Sequence, residues 1–246
     1  MVDKKWVLVT AGSRGIGSAI VKELVKQNYK VIFTYKSNVE LARDLMHSLN
    51  VNGEVCWCYP CDVSDVNSVK KLCETIRENH SIPYAVINNA GITKDALSFA
   101  MSIDDWLDVI NTNLNSLFYL NHYLLNDMMM QRDGCIININ SIAGLRGNVG
   151  QTNYAAAKSA QYGFTKSLAR EAGNFNIRVN CIAPGLIKTD MLSSVPEKAL
   201  SQLTKQTPLR KIGEPEDIAL MVAFLLGKGG RHITGQTIVI DGGLSI

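Results

Sequence analysis

A doubly wound α/β fold, its seven strands all parallel and flanked by helices, is the architecture predicted for this 246-residue sequence. Two observations carry the prediction: short runs rich in Val and Ile recur along the chain, and amphipathic helical stretches separate them. A third is the glycine cluster in "VLVTAGSRGIGSAI", residues 7–20, where an apolar run turns sharply into a helix marked by Ile16, Ile20 and Leu24.

The strand-like runs are "WVLVT", "KVIFTY", "EVCWCY", "YAVINN", "CIININS", "IRVNCIA" and "TIVIDGG". Each is short and continuously apolar, the pattern of strands covered on both faces. Ligands of such sheets bind beyond the carboxyl ends of the strands. The segments to search for chemistry are therefore "TAGSRGIG", "YKSN", "CDVS", "NNAG", "NSIAG" and "APGLIKTD".

Composition narrows the class. With 46% hydrophobic and 19% charged residues the chain packs a core, and residues 1–246 read as a single domain. No signal-peptide pattern opens the sequence, and "SLFYLNHYLLNDMMM" carries Asn121, His122, Asn126 and Asp127, so no membrane span is expected and a cytoplasmic location is. The six cysteines follow no disulfide framework, and "CWCYPC" lacks a second Cys/His pair at finger spacing; it reads as a buried strand, with no metal site. A net charge of +3 without a basic stripe argues against nucleic acid and suits an acidic small molecule or carrier.

The opening loop lets backbone N–H groups approach a pyrophosphate at a helix N-terminus. The second strand ends in Thr34, Tyr35, Lys36, Ser37 and Asn38 with no carboxylate to take a ribose 2′-hydroxyl, while Arg14 projects from the loop. Lys36 and Arg14 thus favour a 2′-phosphate, and so NADP(H). Tyr154 and Lys158 in "NYAAAK" share a helical face, where an ammonium lowers a phenol's pKa toward working pH. A second such pair, Tyr162 and Lys166, lies two turns on, about 12 Å along the axis at 1.5 Å per residue. Tyr162 is therefore expected in packing or an interface, whereas Tyr154 follows the strand that ends in Ser141.

Taken in order, the glycine loop, "CDVS", "NNAG", "NTNLNS", "INSIAG", Tyr154/Lys158, "APGLIKT" and "ITGQTIVIDGG" resemble the classical short-chain dehydrogenase/reductase family over nearly the whole chain. "NNAGITKDAL", "GQTNYAAAKSAQYGFTKSLARE" and "TPLRKIGEPEDIA" are most similar to its bacterial 3-oxoacyl-[acyl-carrier-protein] reductases. The resemblance implies a Rossmann fold that uses NADPH to reduce a 3-oxoacyl thioester on an acyl carrier protein to the 3-hydroxyacyl thioester. Alternatives within that chemistry are carrier-bound polyene or polyketide intermediates and acetoacetyl-CoA. From another class comes a non-catalytic dinucleotide-binding scaffold, against which the catalytic set argues.

The family roles carry over as follows. Tyr154 is the proton donor, Ser141 binds the carbonyl oxygen, Lys158 tunes Tyr154 and holds the nicotinamide ribose, and Asn113 anchors a water that links Lys158 to solvent. Gly12, Ser13, Arg14, Gly15, Ile16 and Gly17 contact the cofactor. Asp62 and Val63 flank the adenine, Asn89, Ala90 and Gly91 line the cofactor, and Pro184, Gly185, Ile187 and Thr189 cap the carboxamide. A homotetramer built on the two long helices around residues 111–129 and 152–171 is also implied.

Two departures stand out. The family's T-G-x-x-x-G-x-G loop has Ala11 for its first glycine, with a glycine displaced to Gly12, and alanine there is tolerable only at negative φ. "AGNFNIR" presents Phe175 where carrier-dependent members often have a basic residue, which bears on carrier docking. Residues 189–213, bracketed by Pro196 and Pro208, suit a mobile substrate lid. Lys188, Lys198, Lys205, Arg210 and Lys211 make it basic, and Arg132 adds to that surface.

Overall fold

The computed structural model is described for residues 5–193 and 197–246. Strands and helices alternate in the order β1 (Trp6–Val9), α1 (Gly15–Lys26), β2 (Lys30–Tyr35), α2 (Val39–Leu49), β3 (Cys56–Pro60), α3 (Val66–Asn79) and β4 (Ala85–Asn88). The second half continues with α4 (Ile103–Ile110), a π-helical turn at Asn111–Asn115, α5 (Ser116–Gln131), β5 (Gly134–Ile139), α6 (Ala143–Arg146), α7 (Thr152–Ala172) and β6 (Ile177–Pro184). Then come α8 (Asp190–Ser193), α9 (Glu197–Gln206), α10 (Pro215–Leu226) and β7 (Thr237–Ile240). The sheet runs β3-β2-β1-β4-β5-β6-β7 with every pairing parallel, the architecture the sequence predicts.

Alternation along the strands divides the core in two. Val7 and Val9 of β1 pack with Ile20 and Leu24 of α1 and Ile218 and Val222 of α10 on one face. Leu8 between them packs with Leu72 and Ile76 of α3 and Leu120 and Leu124 of α5 on the other. Both faces being apolar, the strands show no hydrophilic side, which is why they read as continuous Val/Ile runs. Cys56 begins β3 buried in the first layer, where burial pushes its thiol up to about 12. Such a thiol is inert.

Strand order reverses between β1 and β4, which opens a crevice above their carboxyl ends. The helix starts around it are not alike. Asn38 caps α2 by accepting from Leu41 N at 3.1 Å, Asp65 caps α3, and Ser102 caps α4. At α1 the N-cap is Arg14, which makes no side-chain cap, and the first turn holds no acidic residue. The helix N-terminus facing the crevice is thus left with its donors and its partial positive charge.

The expected lid comprises α8 and α9, with Lys198, Lys205, Arg210 and Lys211 exposed. Pro196, expected to bracket it, lies outside the described residues. No helix among the described residues is long and apolar enough to cross a membrane.

Candidate active site

All of the sequence-predicted site residues fall at or beyond the carboxyl ends of strands, or on the helices above them. Gly12, Ser13 and Arg14 form the turn after β1, and Gly15, Ile16 and Gly17 begin α1. Asn89 fastens this loop to the turn after β4: its Nδ2 donates to Thr10 O at 3.0 Å and Ala11 O at 3.1 Å. Thr10 Oγ1 in turn accepts from Asn89 N and Ala90 N, each at 2.9 Å. Asn89 and Ala90 therefore brace the loop, and Gly91 is the member of the trio that lies beside residues expected to be catalytic. A Cβ on Gly91 would stand 3.3 Å from Asn113 Oδ1 and 3.7 Å from Lys158 Nζ.

Ala11 sits at φ +51°, the left-handed region that alanine enters at a cost. The torsion is imposed from outside: Ala11 N donates to Thr34 Oγ1 at 3.1 Å while Ala11 O receives Asn89. The neighbour explains why the glycine stands at 12 instead. A Cβ there would lie 2.5 Å from Phe33 Cβ and 3.0 Å from Val21 Cγ2, so Phe33 fills the room a larger residue would need. Ala11→Gly is expected to stabilise the protein by about 0.5–1 kcal/mol by removing left-handed strain. A urea midpoint that rises without a change in slope checks this; an unchanged midpoint contradicts it.

Lys36, just past β2, pairs with Asp62 beyond β3 at 2.7 Å. Burial alone would raise the Asp62 carboxyl, but hydrogen bonds from Lys36 and Ser64 outweigh it and hold the pKa below its ordinary value. Val63 is buried behind it. Arg14 reaches Asp190 of α8 at 3.5 Å, joining the loop to the lid. Across the crevice Pro184 ends β6, Gly185 passes so close to Asp241 that a Cβ would lie 2.5 Å from that residue's Cβ, and Ile187 is buried. Thr189 then faces Gly15, and both line a cleft with Ser18, Lys22 and Lys188. An uncapped helix start, a glycine wall and flanking cations fit an anionic dinucleotide.

Ser141 follows β5, Tyr154 and Lys158 lie on α7, and Asn113 sits in the π-turn. The Ser141 hydroxyl stands close enough to Tyr154 to lower the phenol's pKa. Lys158 Nζ donates to Ile139 O at 2.9 Å and lies 5.6 Å from the Tyr154 ring centroid. Asn113 commits both side-chain atoms to Ile92, accepting from its N at 2.8 Å and donating to its O at 2.9 Å. The fold thus brings together the four residues expected to do chemistry.

Their electrostatics differ from expectation. Burial pushes Tyr154 up to about 12, partly offset by the neighbouring Ser141 hydroxyl, and burial drives Lys158 down to about 8. The predicted lowering of the phenol by the ammonium is not what the isolated chain shows. Desolvation sets the phenol's pKa, and Lys158, its Nζ 5.6 Å from the ring centroid, is not among the groups that lower it. Tyr154 is consequently a protonated phenol at neutral pH.

Tyr162 packs as expected, but against a site residue. Its hydroxyl donates to Ser141 O at 2.8 Å, so its packing fastens the main chain of a site residue. Sequence reasoning also passed over Asn140 and Gln161. Asn140 Oδ1 accepts from Ser141 N at 2.6 Å and its Nδ2 donates to Lys158 O at 2.9 Å. Gln161 Nε2 donates to Asn113 O. The available signal for Gln161 was a polar side chain on the stripe that buries Tyr154, Ala157, Lys158 and Thr165.

A parallel sheet with an anion-binding crevice at its switch point, and a phenol, hydroxyl and amine beside it, defines a dinucleotide-dependent oxidoreductase. The chain belongs to the short-chain dehydrogenase/reductase family: the model of a family described as enoyl-(acyl carrier protein) reductase matches residues 10–245. Relatives named 3-oxoacyl-[acyl-carrier-protein] reductase agree in length. That of Pseudomonas aeruginosa is 45% identical over 240 residues, covering 98% of this chain and 97% of the relative. That of Chlamydia pneumoniae is 44% identical over 100% of this chain and 98% of its own. The Salmonella typhimurium protein is 41% identical, covering 98% of each. The family implies a nicotinamide dinucleotide as cofactor.

Proposed function

We propose that the protein reduces a 3-oxoacyl thioester to the 3-hydroxyacyl thioester with NADPH, the acyl group being presented by an acyl carrier protein. The observation that carries this reading is the Ser141–Tyr154 hydroxyl pair, set beside buried Lys158 at the mouth of the sheet. The names of the full-length relatives supply the substrate class. When bound, the cofactor supplies the hydride.

The chain's own groups do the rest. The glycine loop and the α1 N-terminus hold the pyrophosphate, and Lys36 and Arg14 receive the 2′-phosphate that distinguishes NADPH. The Lys36–Asp62 pair is exposed on the lysine side, and exposed pairs are worth about 0–1 kcal/mol, so a phosphate can draw Lys36 away. Asp62 and Val63 flank the adenine, Asn89, Ala90 and Gly91 line the cofactor, and Pro184, Gly185, Ile187 and Thr189 close over the carboxamide. Ser141 hydrogen-bonds the keto oxygen where negative charge develops, and Tyr154 gives that oxygen its proton. Lys158 holds the ribose and returns a proton to Tyr154, which Asn113 connects to solvent through water.

The basic surface of α9 and the residues after it, with Arg210 and Lys211, suits an acidic carrier. Arg132 lies 5.9 Å from the Phe175 ring centroid, so a cation stands beside the position where the basic residue was missed. Exposed Phe118 on α5 supports association of copies through the long helices around residues 111–129 and 152–171, as the proposed tetramer requires.

A second reading, reduction of a 2-enoyl thioester, is favoured by the description of the matched family. Oxidation of NADPH and NADH, with acetoacetyl and crotonyl groups offered on carrier protein and on coenzyme A, separates the readings. NADPH oxidation with acetoacetyl-carrier is expected. Turnover with crotonyl substrates alone selects the second reading, and equal use of NADH overturns the cofactor assignment.

The pH profile follows from Lys158. Its pKa is lowered, so the ammonium is lost as pH rises through about 8, whereas Tyr154 keeps its proton to about 12. The rate of reduction should therefore fall above about pH 8 with Lys158 and not Tyr154 as the cause. In Lys158→Arg, whose charge persists beyond pH about 12, the alkaline limb should move out even as the rate drops. A limb that stays in place contradicts the assignment.

A further inference from the structure

We infer that Gln161 and Tyr162, one turn past Lys158, are positioning residues that tie the catalytic helix to Asn113 and Ser141 at once. The inference rests on the function proposed above. Gln161 is 1% exposed, and its Oε1 has no hydrogen-bond partner among the described residues. An apolar side chain of the same size would avoid that desolvation, so packing does not account for a glutamine here. What the amide does is donate to the carbonyl of Asn113. That carbonyl lies in a π-turn, where backbone pairing departs from the regular ladder. Asn113 spends its side chain on Ile92, so the Gln161 bond is the polar link that sets its place against α7.

Tyr162 performs the matching task on the other side. Ser141 is fastened to α7 at both backbone ends: its N through Asn140 to Lys158 O, and its O directly by the Tyr162 hydroxyl. Adjacent residues of one helix thus each hold the main chain of a different site residue. Ser141 must meet the Tyr154 oxygen and Asn113 must stay near Lys158, and a misplacement of about 1 Å in such a geometry costs on the order of 10²-fold in rate.

The test uses the full-length protein, NADPH and acetoacetyl-carrier. Gln161→Met keeps the volume and loses the donor; Tyr162→Phe keeps the ring and loses the hydroxyl. Each is expected to lower kcat about tenfold, with the NADPH Kd and the substrate KM within about twofold of wild type, because the contacts orient the reacting groups and bind neither ligand. The primary isotope effect on kcat with deuterated NADPH should rise, since the chemical step has slowed, which a purely structural defect would not produce. Wild-type kcat in both folded variants, or losses that follow only the fraction of folded protein, would overturn the inference. Should Gln161→Met fail to fold, Tyr162→Phe decides it. Turnover in wild type with unaffected variants removes this inference alone, whereas no ketone-dependent turnover in wild type removes the proposed function and this inference with it.

Discussion

Tyr154→Phe is expected to lower kcat for ketone reduction by about 10²–10⁴-fold, the usual worth of a general acid, while NADPH binding changes by less than about threefold. The substitution removes one oxygen from a ring that is 9% exposed and packed with Val109, Ala143 and Ala157, so the fold has no reason to shift. What disappears is the proton held on a phenol whose pKa lies at about 12. Ser141 loses a neighbouring hydroxyl but is still held by Asn140 and Tyr162. Steady-state rates beside a binding isotherm for NADPH provide the check. Turnover within tenfold of wild type would mean that another group supplies the proton.

Gly17→Ala should be the most damaging change on the cofactor side. A Cβ at this position would lie 2.2 Å from Ala11 O and 2.7 Å from Asn89 Nδ2. The obstacle is backbone plus the amide that clamps it, so no side chain can swing aside. Relief requires the strained Ala11 peptide and the Asn89 clamp to part, which opens the loop proposed to hold the pyrophosphate. A stability loss of about 1–3 kcal/mol and a cofactor affinity weakened at least about tenfold are expected. Calorimetric titration with NADPH and a denaturant melt measure both. An unchanged Kd would show that the loop does not take the pyrophosphate.

These two positions illustrate what the sequence makes legible. The strands and the residues beyond them could be located because a sheet covered on both faces demands continuous Val/Ile runs, and a doubly wound sheet puts its chemistry after those runs. Val7, Leu8 and Val9 read correctly without knowing that Leu8 faces a different helix layer from its neighbours. Motif order singles out Asn113, Ser141, Tyr154 and Lys158, and the fold sets Asn113 near Gly91 and Lys158, and Lys158 near Tyr154.

The misses have a common cause. The φ of Ala11 is set by Thr34 from β2 and Asn89 after β4, which no local pattern around residue 11 encodes. Tyr162 was judged by its distance from Tyr154 along one axis, whereas its partner is the Ser141 carbonyl, which lies alongside α7. The pKa of Tyr154 was judged by spacing to Lys158, but burial governs both groups. In each case the deciding contact comes from an element distant in sequence, or from how deeply the site is covered.

The measurement that bears most directly on the central claim is a single-turnover experiment. Wild-type protein loaded with NADPH is mixed with acetoacetyl-carrier, and both cofactor fluorescence and the acyl product are followed. Loss of NADPH fluorescence in step with formation of the 3-hydroxybutyryl-carrier, and its absence in Tyr154→Phe, is the result predicted. Tight NADPH binding without hydroxyacyl product from any acetoacetyl donor would contradict the account.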